Sequence, residues 1–288
     1  MPGVASSEEF QRVVDQFDVS SARLTIDAAA LAAARQSLDQ TGLLLLGEVH
    51  GVRQNPLLAR ALMEALDVTG LALEWPAGLA GAMSGFFSDG RVPEDPQLWG
   101  GDGRITAGHF AVLRERFLAG RLQALTLFDG VDEVGWSQCE SAMAERILNT
   151  QRPGTRTLVI AGNAHTALTP TMLGVPLGAR LAEWRPGVRE IRIRYGSGGY
   201  YHRSAQQFEY QFSLRRRARL SAEGAALHLD LPGPVPAEVP HRTAAAEPGY
   251  PDFPGFPTQS APVDPTSGPP GDPWSGRHNP YQPGLTPR

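Results

Sequence analysis

Four apolar stretches of this chain end on a side chain that can carry or hold a proton. LLLLGEVHG (43–51) ends in Glu48 and His50, GLALEWP (70–76) in Glu74, LQALTLFDG (122–130) in Asp129, and TLVIAGNAHT (157–166) in His165. A histidine that titrates near neutrality and is held by a carboxylate can take a proton from water and hand one to a leaving group. Glu48 lies two positions before His50. If the strand extends that far, its period of two puts both on one side, so Glu48 can orient or charge-stabilise His50 as the base. Glu74 and His165 complete such a site by positioning water or substrate. The same four groups, two imidazoles with one or two carboxylates, also match the ligand inventory of a catalytic zinc with an open position. A divalent metal on His50, His165, Glu48 and Glu74 therefore stands beside the metal-free base. Asp129 precedes Gly130 and reads equally well as a turn former.

Other nucleophiles are poorly served. No GxSxG elbow signals a serine. All 26 basic residues are arginine, which excludes a Walker lysine, a Schiff-base lysine and a lysine base. Cys139 is the single cysteine. It lies in SQCESAMAERIL, read as a helix opened by a Ser137/Glu140 capping box, and is expected to be a packed, unreactive thiol.

The elements that must bring these residues together follow from patterning. A short apolar run bounded by glycine suits a strand buried on both faces. After GEVHG, Asn55-Pro56 offers an N-cap and a first-turn proline, and LLARALMEAL (57–66) repeats at helical spacing. Strand, loop and helix make half of a βαβ unit, and open α/β sheets place their ligands at the carboxyl ends of the strands. The expectation is an α/β fold, a mainly parallel open sheet flanked by helices, with its pocket at those ends. Two amphipathic segments, 7–17 and 27–39, precede the first strand and cap or lean on the sheet. A long insert, 75–121, supplies a lid or pocket wall. It holds Asp102 and Arg104 in the glycine-framed WGGDGRIT, followed by a helix led by Thr106. Beyond His165 come a helix near 170–182, a strand over 188–195, a flexible GSGGYYH loop carrying His202, and FEYQFSL as an edge strand. Arg215 to Arg217 and Arg219 read as a solvated strand edge.

A chain of 288 residues with 41% hydrophobic content can bury a sizeable core, but not along its whole length. From Pro232 onward lie 16 of the 25 prolines and few aliphatic residues. That composition predicts a Pro/Gly-rich disordered tail over 232–288, after one folded domain over 1–231 with its core at about 41–200. A net charge of −4 and a pI near 6 give no nucleic-acid footprint. No apolar run is long enough for a membrane span, and the polar N-terminus lacks a signal-peptide core, so a cytoplasmic protein with a small-molecule substrate is expected.

GEVH (47–50) and GNAH (162–165) are both Gly-x-x-His at strand ends, with Glu74 of LEWP between them. This pairing resembles the superfamily of erythromycin esterases, Tiki-type proteases and ChaN-like haem-uptake proteins, over roughly residues 40–200. DGR (102–104) before a helix is similar to a recurring feature of that group. The resemblance implies an α/β fold with its pocket at the strand ends, and lets Arg104 hold an acidic substrate or stabilise an oxyanion. The Tiki branch implies a metal, the erythromycin-esterase branch a metal-free histidine base, and the ChaN-like branch haem. The reading is a hydrolase of an ester, lactone or amide. Its alternatives are a haem- or metal-binding protein without turnover and a non-catalytic scaffold.

Overall fold

Leu43 to Leu46 form an unbroken apolar run because the strand they build has a core on each face. Leu44 and Leu46 point into one buried cluster, with Leu71, Leu73, Leu158 and Ile160; Leu43 and Leu45 point into another, with Ala72, Val159 and Ala161. Alternation is present, but both faces are covered, so it does not show as an apolar/polar pattern. Each of these leucines is fully buried, worth about 1.5–3 kcal/mol relative to exposure.

The computed structural model describes residues 7–20, 23–94, 103–130, 135–202, 204–209 and 217–232. In chain order they form α1 (Ser7–Gln16), β1 (Leu24–Ile26), α2 (Ala28–Thr41), β2 (Leu43–Glu48), α3 (Gln54–Ala65), β3 (Gly70–Pro76), α4 (Ala80–Asp89), α5 (Ala107–Leu118) and β4 (Ala124–Asp129). There follow α6 (Trp136–Thr150), β5 (Thr157–Gly162), α7 (Asn163–Thr166), α8 (Leu177–Trp184), β6 (Glu190–Tyr195), β7 (Ser197–His202), β8 (Ser204–Glu209), β9 (Ala218–Glu223) and β10 (Ala226–Leu231). Eight strands make one sheet in the order β1-β9-β10-β6-β2-β5-β3-β4. Every neighbouring pair is parallel except β9 with β10. The mainly parallel α/β sheet with flanking helices is thus the observed architecture. Its strands β2, β5, β3 and β4 are consecutive neighbours, so the four residue-bearing ends share one rim. No helix among the described residues is long and apolar enough to cross a membrane.

Several local expectations are corrected. Asn55 does not cap α3, which starts one residue earlier; Asn55 lies buried in its first turn and uses its side chain elsewhere. The Ser137/Glu140 capping box does not form, because Gly135 caps α6 without a side-chain bond and Glu140 turns into the protein. The helix placed near 170–182 is α8, which starts only after Pro176; Thr171 and Gly174 close a tight turn before it. GSGGYYH is no loop: it is β7, paired antiparallel with β8 in a hairpin. Arg219 lies on β9, which is flanked by β1 and β10 and is therefore not an edge; the arginine pairs with Asp27 at 2.7 Å. The chain divides into units Met1–Glu247 and Pro248–Arg288. The expected tail beyond Pro232 lies outside the described residues.

Candidate active site

β2 ends at Glu48, and two residues later His50 returns so that its Nδ1 lies 3.2 Å from Glu48 Oε1. β5 ends at Gly162, and the chain turns at once into the single helical turn α7, which carries His165. His165 therefore sits one turn beyond the strand, not on its end. Glu74, near the end of β3, stands between the two imidazoles. Its Oε2 is 3.6 Å from His50 Nε2, and its Oε1 is 3.5 Å from His165 Nε2. The Gly162 N–H donates to Glu74 Oε2 at 2.8 Å, fixing the carboxylate.

The glycines of the paired motifs make room for each other's motif. A Cβ on Gly47 would overlap Thr166 Oγ1 and fall 2.7 Å from Asn163 Oδ1, on the turn that carries His165. A Cβ on Gly162 would lie 3.3 Å from His50 Nε2, crowding the imidazole of the other motif. Gly178 of α8 closes the arrangement from behind, since a Cβ there would overlap the Thr166 carbonyl.

Arg104 reaches the rim from the insert. Its Nη1 donates to Asp129 Oδ2 at 2.7 Å and lies 3.3 Å from Glu74 Oε1. Asp129 is thus the carboxylate that holds Arg104, beyond its place at a strand end. Trp75 Nε1 donates to the Arg104 carbonyl, and Gly51 N–H to the Gly103 carbonyl, so the insert is tied to both β3 and the GEVHG loop. Asp102 lies outside the described residues.

Three neighbours escaped the sequence reading. Glu140 is wholly buried; His165 Nδ1 lies 2.5 Å from its Oε1, and Leu177 N–H donates to its Oε2. A signal for it was present. The buried stripe of α6 is Glu140, Met143, Ala144 and Ile147, so a carboxylate occupies a position where the helical period calls for an apolar side chain. Trp136 stacks on the His165 ring, with centroids 4.8 Å apart and planes within 16°. His109 packs edge-on to Trp75, its Nδ1 2.9 Å from Thr106 Oγ1. No spacing rule marks either one, because both are brought in from helices distant in sequence.

Electrostatics sets the protonation states. Burial pulls His50 down, but the carboxylates of Glu74 and Glu48 outweigh it and raise it to about 10. His165 is likewise depressed by burial and raised overall by Glu74 and Glu140. Burial pushes Glu74 up, yet His165, Arg104 and His50 hold it well below the usual carboxylate range. Glu48 is raised by burial against the pull of His50. At neutral pH His50 is therefore an imidazolium beside an ionised Glu74, and His165 is shifted toward its charged form.

His109 goes the other way. Burial, then the charge of His50, lower it to about 3. The unfolded chain binds this proton near pH 6.5 and the folded site does not until about 3. Its contribution to stability is complete above pH 6.5 and is lost as pH falls from there toward 3. Unfolding free energy measured between pH 6 and 4 is expected to fall less steeply in His109→Gln than in the wild type. Equal slopes would show that His109 is not held neutral.

A cleft at the rim is lined by Glu48, His50, Leu73, Glu74, Trp75, Arg104, His109 and Ile160. The space open to the centre of a water-sized sphere is about 10 Å³, enough for about one water molecule. Haem does not fit such a space. Glu74 lies between the two Nε2 atoms, at 3.6 and 3.5 Å, with the Arg104 guanidinium 3.3 Å from its Oε1, so positive charge already faces this carboxylate. Among the described residues, no three His, Cys, Asp or Glu side chains are arranged to hold an ion.

No family model matches the chain, and no curated protein does. Among solved structures it is similar to one described as "Bacterial protein toxins", at 16% identity and a TM-score of 0.38, over 61% of this chain and 38% of that one. It is also similar to RRSP, a MARTX toxin effector domain from Vibrio vulnificus CMCP6, at 17% identity and a TM-score of 0.39, over 72% and 41%. A third is the C-terminal region of Pasteurella multocida toxin, described as having a thiol-protease-like catalytic triad, at 11% identity and a TM-score of 0.40, over 83% and 32%. The chain spans less than half the length of each.

Proposed function

We propose that this chain is a hydrolase of the erythromycin esterase, Tiki and ChaN-like superfamily, cleaving an ester, lactone or amide of a small-molecule substrate by attack of water. One observation carries the reading: two carboxylate-backed imidazoles direct their Nε2 atoms at one ionised carboxylate, beside room for a single water. The reciprocal fit of Gly47 and Gly162 supports treating the paired Gly-x-x-His motifs as one catalytic unit.

The protonation states distribute the work. Water attacks the carbonyl carbon and gives its proton to Glu74, which is ionised and aligned by Gly162. His50, charged at neutral pH, enters as the acid and passes its Nε2 proton to the leaving oxygen or nitrogen. Glu74 then returns the proton it took to His50 across the 3.6 Å between them, which restores the site. His165, held by Glu140, and Arg104, held by Asp129, place positive charge where the carbonyl oxygen becomes negative.

The test is a panel of esters, lactones and amides assayed before and after chelation, with metal analysis of the same sample. Turnover that survives chelation in metal-free protein is expected. Activity lost to chelator and restored by zinc would return the site to a metal-ligand reading. A Soret shift on haem titration without turnover would favour a binding protein.

A further inference from the structure

β2 stops pairing before His50. Its last ladder partner on β5 is Gly162, opposite Glu48, and its last on β6 is Arg192, opposite Gly47. β5 has already turned into α7 at the next residue. Val49 therefore has no ladder partner, although the contact between Glu48 and His50 depends on how its backbone runs.

Two side chains take the place of the missing strand. Val49 N–H donates to Tyr195 Oη at 3.0 Å, Tyr195 O–H donates to Asn55 Oδ1 at 2.9 Å, and Asn55 Nδ2 donates to the Val49 carbonyl at 2.7 Å. The ring closes on itself and satisfies both backbone groups of Val49. Tyr195 closes β6 and Asn55 lies in the first turn of α3, and both are buried.

We propose that Tyr195 and Asn55 are positioning residues that hold Val49 extended past the end of the ladder and so set Glu48 and His50 on one side, in contact. The chemistry of the two side chains is specific to this task. A phenol hydroxyl must accept from Val49 and donate to Asn55 at once, and phenylalanine can do neither. The Asn55 amide must accept from Tyr195 and donate to Val49, which a carboxylate cannot. Burial, then the Glu48 carboxylate, raise Tyr195 well above the ordinary phenol range, so its donating proton is retained. Val49 is partly buried, and an unpaired N–H there is costly enough to let the segment move.

The test uses the full chain carrying Tyr195→Phe. Amide hydrogen exchange at Val49 is expected to quicken by about tenfold, as for loss of one hydrogen bond, while Leu44 to Leu46 keep wild-type protection. The ring resonances of His50 should shift at fixed pH. On an ester that the wild type turns over, kcat should fall by about 10- to 100-fold with KM little changed, since misplacing a reacting group costs rate and not binding. Asn55→Ala opens the ring from its other side and should repeat the pattern. Unchanged exchange at Val49 overturns the proposal. So does faster exchange with an unmoved His50 ring, which would leave Tyr195 a merely stabilising role. The kinetic part rests on the hydrolase reading. If the wild type turns over nothing, that reading fails, while exchange at Val49 and the His50 resonances still judge the clamp.

Discussion

Replacing His50 with alanine is expected to lower kcat by about 10²–10⁴-fold, the usual worth of positioned acid–base help. His50 touches the carboxylates of both Glu48 and Glu74, so its loss removes the proton donor and strands Glu48 in a buried place without its counter-charge. Glu48 Oε2 already has no hydrogen-bond partner. The double replacement His50→Ala with His165→Ala should cost little more than the worse single change, because both imidazoles serve the one carboxylate of Glu74 and residues acting as a unit are non-additive. Each variant must keep wild-type circular dichroism and melting for the rates to speak about chemistry. A folded His50→Ala protein that turns substrate over at the wild-type rate would remove His50 from the reaction.

The second large effect is expected at Glu140. A capping-box glutamate is worth about 1 kcal/mol, whereas removing one partner of a buried pair costs about 3–5 kcal/mol. Alanine there leaves both His165 Nδ1 and the Leu177 N–H without an acceptor. Chemical denaturation should therefore show Glu140→Ala destabilised by about 3–5 kcal/mol, with turnover reduced as the His165 ring loses its anchor. Glu140→Gln keeps an oxygen acceptor and should retain more of both stability and rate. A loss of only about 1 kcal/mol in the alanine variant, with turnover intact, would return Glu140 to the end of its helix.

How much of this was legible differs from residue to residue. The strands that hold Glu48, Glu74 and Asp129, and the strand that precedes the His165 turn, could be read, because local apolar runs and glycine boundaries report burial directly. β3 falls on the residues expected of it, Gly70–Pro76. Asn55 and Glu140 were misread for one shared reason. Each occupies a position where a local capping rule applies, and each was claimed by a distant partner: Tyr195 is 140 residues from Asn55, and His165 is 25 from Glu140. Local rules describe what a side chain does when nothing else competes, and burial beside a stronger partner overrides them. The GSGGYYH segment failed similarly: its glycines suggest a loop, and antiparallel pairing with β8 made it a strand.

By itself the sequence determined the α/β class, the set of titratable groups at the strand ends, and their arrival at one rim of a parallel sheet. Apolar periodicity is a local property, and parallel strands must end together. Only the tertiary structure decided which groups pair. It set β5 between β2 and β3, so that the second motif meets the first with Glu74 between them. It also decided protonation, leaving His50 raised to about 10 and His109 lowered to about 3. Two histidines with the same intrinsic pKa part in this way because desolvation and the distance to each charge act in three dimensions, where residues far apart along the chain are neighbours.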